Sequence, residues 1–139
     1  VAYFGQKDYQ QQAVIRQMVR DLDMPIEIRT CPTIRDATGL ALSSRNAYLS
    51  PDERQAGLCL SRALFWGESC YRSGELPKTI AAAMHSRIAG EPGVHLDYAV
   101  VVDPVTLIEV EQRQSQVVAL VACRVGTTRL IDNAIWAAE

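Results

Sequence analysis

The chain has no cluster of basic residues, no closely spaced cysteine pair and no apolar run long enough to cross a bilayer. Each absence removes a class of function. Its 14 lysines and arginines are scattered among 16 aspartates and glutamates, for a net charge of -2. A nucleic-acid binder gathers its cations into a patch or stripe, so no nucleic acid is expected as a partner. Cys31, Cys59, Cys70 and Cys123 lie far apart and stand in no ligand spacing to His85 or His95. That pattern contains no zinc motif. It reads as reduced, mostly buried thiols of a cytoplasmic protein, with both histidines as ordinary surface or core residues. The longest apolar run, Val117 to Cys123, is far below the roughly 20 residues of a membrane span, and the chain opens inside a strand pattern with no charged leader. What is present is apolar substance: 48% of the composition, too much for a disordered chain and enough for a core.

Val1 to Phe4 reads as a strand that breaks at Gly5. Beyond it Val14, Ile15, Met18, Val19 and Leu22 share one helical face, with Arg16, Gln17 and Arg20 opposite, until Asp23 and Pro25 close the helix. Ile26 to Ile28 forms a second short strand, stopped by Pro32. Strand, helix and strand in about thirty residues predict a parallel βαβ unit with a right-handed crossover. Two strands do not make a stable sheet in water, so the remaining strands are expected from residues ahead of Val1 or from another chain. Residues 33–46 read as loop. Ser50-Pro51-Asp52-Glu53 starts a helix with an N-cap serine, a proline at the first helical position and a glutamate three residues after the cap. Ala56, Cys59, Leu60, Ala63 and Leu64 give that helix its apolar face, and Gly67 or Gly74 ends it. Another helix runs from Lys78 to Ala89 and stops at Gly90. His95–Val102, Leu107–Val110 and Val117–Val125 are then β-rich with no helix between them. They predict a small antiparallel sheet and, from about Ser50 onward, a compact α+β domain.

Two segments hold candidate binding residues. The first, Phe4 to Gln11, carries Gly5, Gln6, Lys7 and Asp8 from a strand end into the first turn of a helix. There, backbone N–H groups and a lysine hold an anion at the carboxyl end of an α/β strand. Gly5 lets a ligand approach the backbone, and Gln10 and Gln11 supply neutral donors and acceptors for hydroxyl and carboxylate groups. The same residues also fit plain helix capping, with Asp8 as N-cap, Gln11 completing a capping box and Lys7 in solvent. The second segment, Leu42-Ser43-Ser44-Arg45-Asn46, offers hydroxyls, N–H groups and a planar guanidinium to a polyphosphate. Serine and asparagine are equally at home in an ordinary turn.

Taken together, the two segments resemble the pantothenate synthetases (pantoate–β-alanine ligases). The family's Phe-Gly-Glu/Gln-Lys-Asp-Tyr-Gln-Gln matches Phe4 to Gln11, and its Val-Ile-Arg-x-Met-Val-x-Asp-Leu helix matches Val14 to Leu22. Pro-Thr-Val-Arg-Glu corresponds to Pro32 to Asp36, and Gly-Leu-Ala-Leu-Ser-Ser-Arg-Asn-x-Tyr-Leu to Gly39 to Leu49. Gly126 to Asn133 resembles the family's C-terminal segment, while between Ser50 and Val125 the likeness is of pattern. The resemblance implies an α/β plus α+β chain. Residues 1–46 would be the last βαβ part of a Rossmann-like nucleotidyltransferase domain with its active-site loop. Residues 47–139 would be a C-terminal α+β lid domain, hinged at Pro32 to Asn46.

It further implies ATP-dependent condensation of pantoate with β-alanine through a pantoyl adenylate, releasing AMP and pyrophosphate. Magnesium is the implied cofactor, with no residue of this chain assignable as its ligand. Gly5, Gln6, Lys7 and Asp8 would contact ATP, with Lys7 near its phosphates. Ile34 would line the adenine pocket, and Leu42, Ser43, Ser44 and Arg45 would close over adenine and phosphates. Gln11 would bind pantoate. Lys7, Ser43, Ser44 and Arg45 are the expected catalytic groups, as donors and cations around the reacting phosphorus. The family's N-terminal half, with its His-x-Gly-His motif, has no counterpart here. The resemblance therefore implies a full-length homodimer formed mainly through that half, and a chain inactive or nearly so alone. Two other readings stand beside it: a non-catalytic module whose strand edges near Val1 and Ile28 pair with another chain, and a different adenylate-forming nucleotidyltransferase.

Overall fold

A computed structural model describes residues 1–138. β1 (Ala2–Gly5) and β2 (Ile28–Cys31) pair in parallel, Ala2 opposite Ile28 through Gly5 opposite Cys31, with α1 (Tyr9–Asp21) as the crossover. The predicted βαβ unit is present. β2 starts two residues later than expected because a tight turn takes up Met24 to Ile26, the Ile26 N–H bonding Met24 O at 2.7 Å.

The helix buries a face other than the predicted one. Tyr9 and Gln12 are buried, whereas Val14, Met18 and Leu22 are 59%, 44% and 66% exposed. Two short strands offer that apolar stripe nothing to cover among the described residues. The Tyr9 side packs instead on Val102 and Val118, with its hydroxyl donating to Pro104 O at 3.0 Å. Asp8 occupies the N-cap position but its side chain makes no cap bond, so the capping box with Gln11 does not form.

Residues 33–49 carry more structure than a loop. Arg35 and Ala41 bridge around a turn at Asp36–Gly39. Ser44–Tyr48 is a 3-10 turn capped by Ser43, whose Oγ accepts the Arg45 N–H at 3.2 Å. Ser50 caps the next helix as read, in a complete capping box with Glu53. That helix breaks at Leu58 into α2 (Pro51–Gly57) and α3 (Cys59–Arg72), so Gly67 lies inside α3 rather than at its end. The reason is packing: a Cβ on Gly67 would sit 2.6 Å from the Trp136 ring. The chain leaves α3 through Gly74, at φ +102°, and enters α4 (Pro77–Ala89).

β3 (Val94–Val102), β4 (Gln116–Val125) and β5 (Thr128–Ala137) form an antiparallel sheet in that order. Leu107–Val110 is not one of its strands. Asp103 Oδ1 accepts the Val105 and Thr106 N–H groups and the Thr106 hydroxyl, folding the segment into a turn that leaves one bridge, Val102 to Glu109. The strand reading of the sequence stops at Val125, yet β5 pairs with the whole of β4 across Gly126-Thr127. α3 and α4 cover one face, with Leu64, Tyr71, Met84, Val121 and Trp136 in the core. The other face meets Tyr9 through Val102 and Val118, which places the end of β1 against β5. No described helix is long and apolar enough to cross a membrane.

Candidate functional site

β1 ends at Gly5, where no heavy atom lies within 4 Å of the position a Cβ would take. The space before that backbone is open. Gln6 and Lys7 then turn toward α1 and are held by Asn133 of β5. Asn133 Nδ2 donates to Gln6 O at 2.8 Å and to Lys7 O at 2.9 Å, and its Oδ1 accepts from Gln6 Nε2 at 3.2 Å. The neighbouring Asp132, 4% exposed, accepts two bonds from Arg35, at 2.6 and 2.9 Å. Arg35 also donates to Gly39 O at 3.1 Å and lies 5.1 Å from the centroid of the Phe65 ring.

Lys7, Asp8, Arg45, Arg129, Asp132 and Asn133 line one cavity of about 220 Å³. Arg129 is taken up by Asp97, its Nε donating to Oδ2 at 2.7 Å. The Lys7 ammonium makes no hydrogen bond or ion pair among the described residues. Burial pulls its pKa below the usual lysine value; Asp132 opposes that pull and Arg45 adds to it. A partly desolvated ammonium beside a second cation favours an anion that bridges the two. The cavity does not fit a magnesium ion. Its carboxylates, Asp8 and Asp132, share it with Lys7 and Arg45, and Asp132 already holds Arg35. No group of three or more His, Cys, Asp or Glu among the described residues is arranged for a metal.

The residues singled out from sequence thus divide. Lys7, Asp8 and Arg45 meet at the cavity, Gln6 is bonded to the lining residue Asn133 without itself lining the cavity, and Gly5 lies at the strand end. Ser43 caps the 3-10 turn as an acceptor and Ser44 is exposed as its first residue, both outside the cavity lining. Ile34 and Leu42, 69% and 51% exposed, are neighbours across the Arg35–Ala41 bridge, the Leu42 N–H bonding Ile34 O at 2.8 Å. Gln11 lies exposed on α1 and does not line the cavity, although its neighbour Gln10 does. Asp132 and Asn133 escape the sequence reading. Their signal is two consecutive polar residues inside the apolar run Leu130 to Trp136, where burial obliges both to find partners.

Residues 1–135 match the family model described as pantoate-beta-alanine ligase. A pantothenate synthetase of Thermodesulfovibrio yellowstonii is 49% identical over 135 residues, which are 96% of this chain and 48% of that protein. One from Acidobacterium capsulatum is 53% identical over 135 residues, 96% of this chain and 45% of that protein. The chain spans about half the length of the curated relatives it matches. The crystal structure of pantothenate synthetase from Thermus thermophilus superposes with a TM-score of 0.91 at 41% identity, covering 96% of this chain and 48% of that one. A pantoate-beta-alanine ligase from Francisella tularensis, complexed with beta-gamma ATP and beta-alanine, gives 0.61 at 28% identity over 96% of this chain and 42% of that one. By a family match that runs through both candidate segments and most of β5, the chain belongs to the pantoate–β-alanine ligases.

Proposed function

We propose that this chain supplies the nucleotide-binding turn, the phosphate-side arm and the lid of an enzyme that joins pantoate to β-alanine with ATP, through a pantoyl adenylate. The carrying observation is that Lys7 and Arg45, from two separate segments, share one cavity while the Lys7 ammonium has no partner among the described residues. In the first step a pantoate carboxylate oxygen bonds to the α-phosphorus and the bond to pyrophosphate breaks. Negative charge grows on the phosphoryl oxygens and the leaving group, where Lys7 and Arg45 stabilise it. In the second step the β-alanine amine bonds to the acyl carbon, loses a proton, and AMP leaves. Neither step needs a protein nucleophile, so orientation and electrostatics carry the rate. Gly5, Gln6, Lys7 and Asp8 hold the nucleotide. Ile34 and Leu42 give adenine an apolar edge, Ser43 and Ser44 add donors once the arm closes, and Gln11 takes pantoate. The α3–α4–β3–β5 body closes as a lid about Pro32 to Asn46 and keeps water from the acyl adenylate. The Francisella relative's complex with beta-gamma ATP and beta-alanine supports the ligand assignment.

The test is AMP formation from magnesium-ATP with pantoate and β-alanine, using the chain alone and then with the other half of a relative's sequence. Turnover is expected only with both, together with protection of the exposed Val14, Met18 and Leu22 stripe. Two folded, associated halves that make no AMP would overturn the ligase reading and favour the non-catalytic module.

A further inference from the structure

We propose that Asp132 and Asn133 form a two-residue bracket on β5 that sets where Lys7 stands relative to Arg45, with Asn133 as the positioning residue for Lys7. Its catalytic consequence rests on the ligase reading above; its structural content does not. Successive residues of a strand point to opposite faces, so two neighbours on β5 reach two different segments. Asp132, registered against Val121, turns to the α3 side and takes Arg35, whose guanidinium lies over Phe65. Asn133, registered against Leu120, turns to the parallel pair and takes the main chain of Gln6 and Lys7. The Arg35 segment runs on through Ala41 and Ser43 to Arg45, so Lys7 and Arg45, two of the three cations that line the cavity, are referred to one dipeptide.

The pattern of bonds separates positioning from plain packing. Asn133 is 2% exposed, and its Nδ2 and Oδ1 are both used. Its two donated bonds go to carbonyl oxygens, which fixes the backbone under Lys7 and leaves the ammonium unspent. Alanine there would strand two carbonyls. A residue that merely fills the sheet has no reason to be a buried amide with both ends bonded.

The experiment uses Asn133→Ala and Gln6→Ala, singly and combined, in the 139-residue chain and in the same chain completed by the other half of a relative. Amide hydrogen exchange over Gln6 to Gln12, where Gln6 N–H bonds Cys31 O and Gln12 N–H bonds Asp8 O, reads the turn directly. Asn133→Ala is expected to speed it about tenfold, the loss of one or two ordinary hydrogen bonds, with β4 amides unchanged. In the completed enzyme the KM for ATP is expected to rise about tenfold, with the KM for β-alanine unmoved. A loss of folded protein lowers kcat and leaves KM alone, so that split excludes a merely structural role. Gln6→Ala should give about a threefold change by itself and less on top of Asn133→Ala; it also keeps the test decisive where Asn133→Ala does not fold. Unchanged exchange, or a fall in kcat at constant ATP KM, overturns the bracket. A wild-type completed enzyme that makes no AMP removes the ligase reading, and the exchange result then decides the bracket by itself.

Discussion

Replacing Lys7 with methionine separates what this side chain does for the fold from what it does for a ligand. The ammonium has no hydrogen-bond or ion-pair partner among the described residues, and burial lowers its pKa, with Asp132 opposing and Arg45 reinforcing. A lysine whose folded pKa lies below its unfolded value is held charged at a cost. That cost is present at neutral pH and fades as the pH rises through the unfolded value. Methionine keeps most of the apolar stem and removes the charge, so the melting temperature is expected to stay level or rise. Catalysis should move the other way. One of the two cavity cations not paired with Asp97 is lost, and removing one well-aimed electrostatic group costs roughly 3 kcal/mol of transition-state stabilisation, about a hundredfold or more in rate. The assay pairs thermal unfolding followed by circular dichroism at neutral pH with pantoate-dependent AMP formation in the completed enzyme. A variant that melts several degrees lower would show that Lys7 is structural. One that forms AMP at near-normal rate would remove it from the site.

Three further expectations follow from the same geometry. Gly67→Ala places a Cβ 2.6 and 2.8 Å from Trp136 and 3.1 Å from Ile80. Overpacking of about 1–3 kcal/mol should outweigh a helix-propensity gain of about 1 kcal/mol, and a urea midpoint equal to wild type would show that Trp136 gives way freely. Asp132→Asn leaves the Arg35 side chain, 18% exposed, without its carboxylate; about 3 kcal/mol of stability should go, and a loss under about 1 kcal/mol in urea unfolding would mean that Gly39 O and solvent suffice. Inorganic pyrophosphate, titrated calorimetrically into the chain, should lose affinity as the pH rises toward 10.5, because Lys7 sheds its proton below that ordinary lysine value. Affinity flat over that window would place the anion away from Lys7.

What the sequence disclosed follows the range of the forces involved. The Ser50 capping box and the crossover from β1 to β2 rest on neighbours in the chain, and both are legible. The buried face of α1 is not, because Val14, Met18 and Leu22 form a sound apolar stripe whose burial depends on what lies over it. Leu107–Val110 has strand-like residues, but Asp103 collects two N–H groups and a hydroxyl and turns the chain away first. β5 hides for the opposite reason. Asp132 and Asn133 interrupt its apolar alternation, and their burial makes sense only beside Arg35 and the Gln6–Lys7 backbone. Lys7 and Arg45 are readable as phosphate-binding chemistry; their meeting at one cavity needs the strand that the apolar pattern conceals.

That dependence says where the rigidity of the site comes from. β1 and β2 are strands of four residues each, whereas β4 and β5 run for ten. A four-residue parallel pair with an open Gly5 end has little cooperativity to hold a turn in place, and no side-chain cap from Asp8 steadies the start of α1. The long hairpin does have it, and its hold on the turn passes through Asn133 to the Gln6 and Lys7 carbonyl oxygens and the Gln6 side chain, not to the Lys7 ammonium. Nucleotide affinity should therefore follow the integrity of β4–β5 more closely than that of the strands that carry the motif. A substitution that loosens β5 without touching Lys7 or Arg45 then weakens binding, while one on the solvent side of α4 leaves it alone. A site arranged in this way can be damaged from a strand that contributes only Arg129, Ile131, Asp132 and Asn133 to the cavity.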